Sequence, residues 1–167
     1  MEKTMQPTAP VIEPHSFYPV RFNDCDPFGH LNNSRYIDYF INAREDHLLK
    51  HYQFFFPEWL EKGYGWVVSG HEINYLKPAN AYETVRIQTS LIEYGDSQLL
   101  VEGVMTDEKQ QQVKAVQWTR FVFVNIKTGR KEKHPAELME WVMGLKNEQV
   151  DAGAGMRTRI AQLLGKG

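Results

Sequence analysis

Two carboxylates, a glycine, a histidine and two asparagines lie close together near the start of the chain, in the run Asp24-Cys-Asp26-Pro-Phe-Gly29-His30-Leu-Asn32-Asn33. Proline and glycine are typical of a loop, and either asparagine could accept hydrogen bonds from the free N–H groups of a helix's first turn. A helix is therefore predicted to begin here, facing a carboxylate. Helix N-termini carry unpaired N–H donors and partial positive charge, which suit a carbonyl oxygen that becomes an oxyanion. A carboxylate beside such donors is a minimal acyl-transfer site.

This order, Asp-x-Asp-x-x-Gly-His-x-Asn-Asn followed by Tyr36 and an aromatic-rich helical pattern, resembles the hotdog-fold acyl-CoA thioesterases of the 4-hydroxybenzoyl-CoA thioesterase type. The resemblance runs from about Ser16 to about Trp141 and includes Glu72-Ile-Asn-Tyr-Leu-Lys-Pro-Ala79, which is similar to the end of the family's second strand. It implies an α+β hotdog fold, in which a five-stranded antiparallel sheet wraps a long central helix. It also implies a homodimer joined edge to edge, or a homotetramer built from two dimers.

The resemblance implies roles for two residues of the motif. Asp26 corresponds to the catalytic carboxylate of the family, and the backbone N–H seven residues later, that of Asn33, would polarise the thioester carbonyl. From the residues alone, Asp26 could act as a general base towards water or as a nucleophile that forms a mixed anhydride. It could also simply cap the turn before Pro27. Asp24 is expected to accept backbone hydrogen bonds in the loop instead.

Five further residues are candidates for the site. His30 could orient water or substrate, or only bond to nearby loop backbone. Asn32 could cap the helix or contact the thioester, and Gly29 could let the backbone approach the ligand or only make the turn. The acyl group would lie against Tyr36, Phe40 and their neighbours.

Other chemistries have weaker support. Cys25 points away from Asp26 in extended chain and has no assignable histidine, so a small buried residue is predicted. Ser69 lacks the Gly-x-Ser-x-Gly nucleophile elbow. His47 and His51 are one helical turn apart, but no further zinc ligands accompany them. Without a Walker loop or a Gly-x-Gly-x-x-Gly run, no metal or cofactor is predicted beyond the coenzyme A of the substrate.

Composition bounds the setting of the protein. A chain of 167 residues with 42% hydrophobic content suits one domain with a sizeable core. Net charge of −2 without a basic block argues against nucleic-acid binding and against an electrostatic membrane anchor. One cysteine excludes an internal disulfide, and no apolar run suits a signal peptide or a membrane span. A cytoplasmic protein is predicted.

The elements that position these residues follow in order. We predict a flexible tail over residues 1–14, the hotdog domain over 15–146, and a linker with a short helix over 147–167. Within the domain, a strand leads into the loop, a helix follows over residues 33–50, and four strands follow over residues 66–75, 83–93, 99–105 and 113–126. A docked helix after Pro135 completes the domain. Alternation in the second and third of these four strands predicts that one face of the sheet is wetter.

Three other segments carry predictions. Arg44 interrupts the apolar arc of the helix and is expected to pair with a nearby carboxylate, because a long charged side chain seldom lies unpaired inside a protein. The aromatic stretch 51–60 could cover the acyl pocket as a lid, or only cover the end of the helix. The strand over residues 66–75 would be a long free edge, which favours association with another chain.

Three functions stay open from the sequence. The first is a thioesterase that hydrolyses an acyl-CoA or an acyl-carrier-protein thioester to a free acid and a thiol. The second is a hydratase or dehydratase of acyl thioesters that uses His30 with Asp26. The third is a module that binds acyl-CoA without turnover. The intact motif from Asp26 to Asn33 favours the thioesterase, because a binding module has no need of the carboxylate.

Overall fold

A long helix against an antiparallel sheet organises the computed structural model, which describes residues 9–165. The helices and strands, in chain order, are β1 His15–Pro19, α1 Tyr36–Tyr52, α2 Phe56–Glu61, β2 Tyr64–Tyr75, β3 Thr84–Tyr94, β4 Gln98–Asp107, β5 Val113–Asn125, β6 Arg130–Lys131, α3 Ala136–Gly144 and α4 Met156–Gly165. None of the helices in the described range is both long and apolar enough to span a membrane.

The sheet has the strand order β1-β3-β4-β5-β2, and every neighbouring pair is antiparallel. The predicted fold class of five strands around a central helix is therefore confirmed. The two-residue β6 beside β5 is an addition that the sequence did not predict, because two residues are too few to show an alternating pattern. β2 lies at one edge of the sheet, as predicted.

The inner face of the sheet packs against α1. The helix buries Tyr36, Phe40 and Ala43 towards the sheet. Close approach depends on Gly103 in β4, where an added Cβ would lie only 2.4 Å from a ring carbon of Phe40. Because real side-chain atoms do not approach so closely, only glycine lets the Phe40 ring lie on the sheet at this depth.

His47 is a fully buried member of the same helix face. Its Nδ1 lies 2.7 Å from the Thr89 hydroxyl on β3, and its Nε2 lies 3.1 Å from the Ser16 hydroxyl on β1. Both ring nitrogens are therefore hydrogen-bonded, and the imidazole joins α1 to two strands. Burial, followed by the nearby Arg44 charge, lowers the pKa of His47 to about 3, so the ring is neutral near pH 7.

The protonation of His47 makes the stability of the protein depend on pH. The unfolded chain binds a proton at His47 below the ordinary pKa of 6.5, whereas the folded protein binds it only near a pKa of about 3. We expect this residue to lower the free energy of unfolding by about 1.4 kcal/mol per pH unit as pH falls through that window. Urea unfolding of the wild type and of His47→Gln at about pH 7 and about pH 5 measures the effect. The variant should lose less stability between the two pH values, and equal losses would contradict the prediction.

Arg44 differs from its prediction. Within residues 9–165 no carboxylate lies within salt-bridge distance of its guanidinium, so the predicted ion pair is wrong. The guanidinium instead lies over the Tyr52 ring, 5.9 Å from the ring centroid. Burial lowers the pKa of Arg44. A cation over an aromatic ring gains some attraction, which is weaker than that of a direct ion pair.

The outer face of the sheet is covered by the end of the chain. Val150 and Met156 belong to one buried cluster with Ile92 and Trp118 of the sheet, and Arg159 of α4 binds the carboxylate of Glu102 on β4. The short helix predicted near the C-terminus is present as α4, and the segment before it contacts the sheet. The prediction of a wetter face is wrong for this part of the sheet, because the C-terminal segment excludes water from it.

The beginning of the described chain also contacts the sheet. Pro14 is buried, and its carbonyl accepts a hydrogen bond of 3.0 Å from the Thr89 N–H. Residues 1–8 of the predicted N-terminal tail lie outside the described residues.

Candidate active site

The loop that carries Asp26 is closed by its own backbone. The Asp26 N–H donates to the His30 carbonyl at 2.8 Å, and the Gly29 N–H donates to the Asp26 carbonyl at 3.0 Å. Gly29 has φ of +76°, a left-handed conformation that glycine adopts without steric cost. This tight turn is the local structure that the proline and glycine of the motif predict.

The Asp26 side chain is held by the same turn. Its Oδ1 accepts hydrogen bonds from the N–H groups of Phe28, at 2.9 Å, and His30, at 3.2 Å. No hydrogen bond within residues 9–165 engages its Oδ2. The carboxylate therefore caps the turn with one oxygen and has the other available for chemistry, so the capping role and a catalytic role are compatible.

A second loop supports the first. Residues 29–31 pair with residues 79–81 through backbone hydrogen bonds of 2.8 and 2.9 Å. This second loop is fixed by the buried Lys114, whose Nζ lies 2.8 Å from the Glu83 carboxylate and 3.0 Å from the Pro78 carbonyl. The position of the Asp26 turn is thus set by a buried ion pair that is distant in sequence.

The helix begins at the asparagine pair. Asn32 Oδ1 accepts from the Ser34 N–H at 3.0 Å and from the Ser34 hydroxyl at 2.9 Å, so Asn32 is the capping residue. Residues 33–35 form a 3₁₀ turn that leads directly into α1. The Asn33 N–H is the first of this turn and has no acceptor within the described part of the chain. It is available to an oxyanion.

An open cleft of about 250 Å³ brings four of the predicted residues together, namely Asp26, His30, Asn33 and Tyr36. Its opposite wall consists of residues 75–78, at the end of β2 and just beyond it. Carboxylate, histidine and helix start therefore share one space, which could hold a thioester between the base and the N–H donor.

Three other predicted residues lie outside the lining of this cleft. Gly29 shapes the turn, Asn32 caps the helix, and Phe40 is buried one helical turn deeper against Gly103. Their substrate-binding roles stay predictions.

Tyr75 is a cleft residue to which the sequence analysis gave no role. Its hydroxyl donates to the Asn33 carbonyl at 2.9 Å, and its ring packs edge-on against Tyr36 with centroids 5.0 Å apart. Tyr75 therefore fixes the peptide group that follows the proposed oxyanion donor. The sequence signal was its place at the end of the predicted strand, but the contact with α1 depends on the tertiary fold.

Asp24 has a different role from its neighbour. Its Oδ2 accepts a hydrogen bond of 2.9 Å from the Tyr39 hydroxyl, and its Oδ1 lies 3.7 Å from Arg35 Nε. The expectation that its side chain accepts backbone hydrogen bonds is wrong, because the hydroxyl from α1 reaches it first. Asp24 attaches the loop to the helix and does not line the cleft.

Comparisons with known proteins agree with this geometry. The sequence matches the thioesterase-like superfamily over residues 20–142, a range that includes the whole cleft. It is 30% identical over 122 residues to the long-chain acyl-CoA thioesterase FadM of Escherichia coli, which covers 72% of this chain and 90% of that protein.

Solved structures show the same fold. The structure of YbaW, a probable thioesterase from Escherichia coli, superimposes with a TM-score of 0.68 at 26% identity and covers 80% of this chain and 98% of that one. A DHNA-CoA thioesterase from Staphylococcus aureus gives a TM-score of 0.72 at 19% identity, over 80% of this chain and 89% of that one. These likenesses confirm the hotdog fold.

Proposed function

Because the chain belongs to the thioesterase-like superfamily, we propose that it hydrolyses the thioester bond of an acyl-CoA to a free acid and coenzyme A. The observation that carries the proposal is the cleft in which the Asp26 carboxylate and the unbonded Asn33 N–H face one space. The similarity to a protein named as a long-chain acyl-CoA thioesterase favours a long acyl chain as substrate.

The residues of the cleft divide the chemistry between them. In the general-base route, Asp26 takes a proton from water, and the resulting hydroxide adds to the thioester carbon. The carbonyl oxygen becomes an oxyanion that accepts a hydrogen bond from the Asn33 N–H. Collapse of this intermediate breaks the carbon–sulfur bond, and the thiolate of coenzyme A takes up a proton. In the nucleophilic route, Asp26 attacks the carbon directly, the thiolate leaves, and water hydrolyses the mixed anhydride.

Two features support binding of coenzyme A and assembly. Lys77 is an exposed cation in the lining of the cleft, where it would attract the phosphates of coenzyme A. The twelve-residue β2 is an edge strand on which Val67 and Val68 are 49% and 44% exposed. A homodimer that pairs two β2 edges would bury them, and sedimentation equilibrium checks this assembly.

The test of the function is free-thiol release from a panel of short-chain, long-chain and aromatic acyl-CoAs. We expect turnover, with the highest kcat/KM for long chains. A non-hydrolysable thioether analogue of the best substrate should inhibit competitively. Tight binding of acyl-CoA without thiol release would overturn the proposal in favour of a binding module. Hydration or dehydration of the acyl chain with the thioester intact would identify the hydratase instead.

The Asn33 backbone donor can be removed by substitution with proline, which has no N–H. Proline is tolerated in the first turn of a helix, and Asn32 already has the extended conformation, φ −62° and ψ 135°, that a residue before proline requires. We expect Asn33→Pro to lower kcat about 10²–10³-fold, as loss of one oxyanion donor does.

Asn33→Ala is the matched control, because it removes the side chain and retains the N–H. Its kcat should stay close to that of the wild type. If the alanine variant loses as much activity as the proline variant, the Asn33 side chain and not its N–H is the functional group.

A further inference from the structure

Three spaces follow one another along α1. The cleft lies at the start of the helix beside Tyr36, and a small void of about 10 Å³ lies beside Phe40 and Arg44. A third space of about 50 Å³ lies between Arg44 and Leu48 and the elements that face them. At a rise of 1.5 Å per residue, Arg44 is about 12 Å and Leu48 about 18 Å from Tyr36. A long acyl chain that starts in the cleft could follow this line.

The third space, which we term the aromatic chamber, is apolar. Its walls come from α1, the inner face of the sheet, the segment after α1 and α3, and include Leu48, Phe54, Trp66, Phe121, Trp141 and Leu145. The Phe54 and Trp141 rings stack in parallel, with an interplanar angle of 1° and centroids 5.6 Å apart. Arg44 is the charged residue among the lining residues. Such a wall suits the hydrocarbon end of an acyl chain.

The small void differs because polar groups face it. Gln117 of β5 lines it and is 1% exposed. The Gln117 Nε2 donates to the Thr119 hydroxyl at 2.8 Å, whereas its Oε1 is buried without a hydrogen-bond partner in the described part of the chain. Turning the amide over would only exchange which of its two polar atoms is unmatched. An unmatched buried amide oxygen destabilises the protein unless a ligand or water satisfies it.

Arg44 supplies the complementary group. It lines both the small void and the aromatic chamber and, within residues 9–165, has no carboxylate partner. The void therefore has a donor on the helix side and an acceptor on the sheet side. A carboxylate would be repelled by Gln117 Oε1, and a ketone has no proton to donate to it. A hydroxyl group can accept from Arg44 and donate to Gln117 at once.

We propose that the small void binds a hydroxyl group carried in the middle of the substrate's acyl chain, while the far end of the chain occupies the aromatic chamber. The void begins one helical turn, about 6 Å, beyond Tyr36, so the hydroxyl is separated from the thioester by several carbons. Its volume of about 10 Å³ is close to that of one small polar group. The proposal rests on the thioesterase function and narrows its substrate to a hydroxylated long-chain acyl-CoA.

The test compares kcat/KM for a plain long-chain acyl-CoA with that for positional isomers bearing one mid-chain hydroxyl. We expect at least one isomer to be preferred about tenfold over the plain chain, because the plain chain leaves the buried polar groups unmatched. Gln117→Leu should abolish this preference by lowering the rate for that isomer. Gln111→Leu, at an exposed turn, should leave it unchanged. Thermal unfolding verifies that both variants fold, and Gln117→Met is the substitute if Gln117→Leu does not.

The outcomes separate this inference from the thioesterase function. If the plain chain and all isomers are hydrolysed equally, the void holds a structural water only, and the proposal is overturned while the thioesterase function stands. If no acyl-CoA is hydrolysed, the thioesterase function fails. Calorimetric binding of the same isomers then decides the inference, since a tenfold tighter hydroxylated ligand supports it and equal binding overturns it.

Discussion

Asp26→Asn is expected to release thiol from acyl-CoA about 10²–10⁴-fold more slowly than the wild type, while its free energy of unfolding changes little. The substitution removes negative charge and basicity, but asparagine retains an Oδ1. That oxygen can still accept from the N–H groups of Phe28 and His30, so the turn keeps its caps. Initial rates at saturating substrate, with urea unfolding of the same preparations, measure both quantities.

Asp24→Asn is the matched control for that experiment. It makes the same change of charge two residues earlier, and an asparagine oxygen can still accept from the Tyr39 hydroxyl. Because Asp24 lies outside the lining of the cleft, its variant should keep a rate close to that of the wild type. Equal losses in both variants would mean that the net charge of the loop, not the Asp26 carboxylate, controls the rate. An unimpaired Asp26→Asn would remove the proposed mechanism.

The sequence predicted the fold because its patterns are local. Alternation marked the strands, the asparagine cap marked the start of α1, and a motif within ten residues held Asp26, His30 and Asn33 together. The structure brings these three residues into one cleft with Tyr36. A site that one loop and the following helix start provide is the kind of site that a linear motif can predict.

The contacts that the sequence did not predict join residues far apart in the chain. Tyr75 meets Asn33, Lys114 fixes the loop beside Gly29, and His47 bridges two strands. Side-chain type gave only partial signals: His47 interrupted an apolar arc, which left the reason open. Its buried hydroxyl partners become visible only once strand order is known.

The outer face of the sheet illustrates the same point. Alternation correctly placed Glu102 and Ser90 on the face opposite α1, and polar residues there predicted contact with water. The C-terminal segment covers that face instead, and Glu102 is 1% exposed. A glutamate between Leu100 and Val104 was compatible with either outcome, because its partner lies 57 residues later.

Arg159→Ala is expected to lower the free energy of unfolding by about 3–5 kcal/mol. Arg159 Nε and Nη2 donate to the Glu102 carboxylate at distances of 2.8 to 3.1 Å, and Trp118 Nε1 donates to it at 3.0 Å. Both charged side chains are almost completely buried. Removing the arginine leaves a carboxylate in an apolar cluster with one remaining donor, so the folded state loses far more than one surface ion pair would contribute. Urea unfolding at about pH 7 measures the loss.

The double variant Glu102→Leu with Arg159→Met separates the pair's net contribution from the cost of an orphaned charge. Replacing a buried ion pair by apolar side chains of similar size is often neutral or stabilising, so the double variant should be at least as stable as the wild type to within about 1 kcal/mol. Thiol release should be unchanged in it, because the pair lies on the face of the sheet opposite α1 and the cleft. A single variant that loses less than about 1 kcal/mol would mean that water reaches Glu102, as at a surface pair. In that case α4 does not seal the outer face, and the packing of the C-terminal segment is not a source of stability.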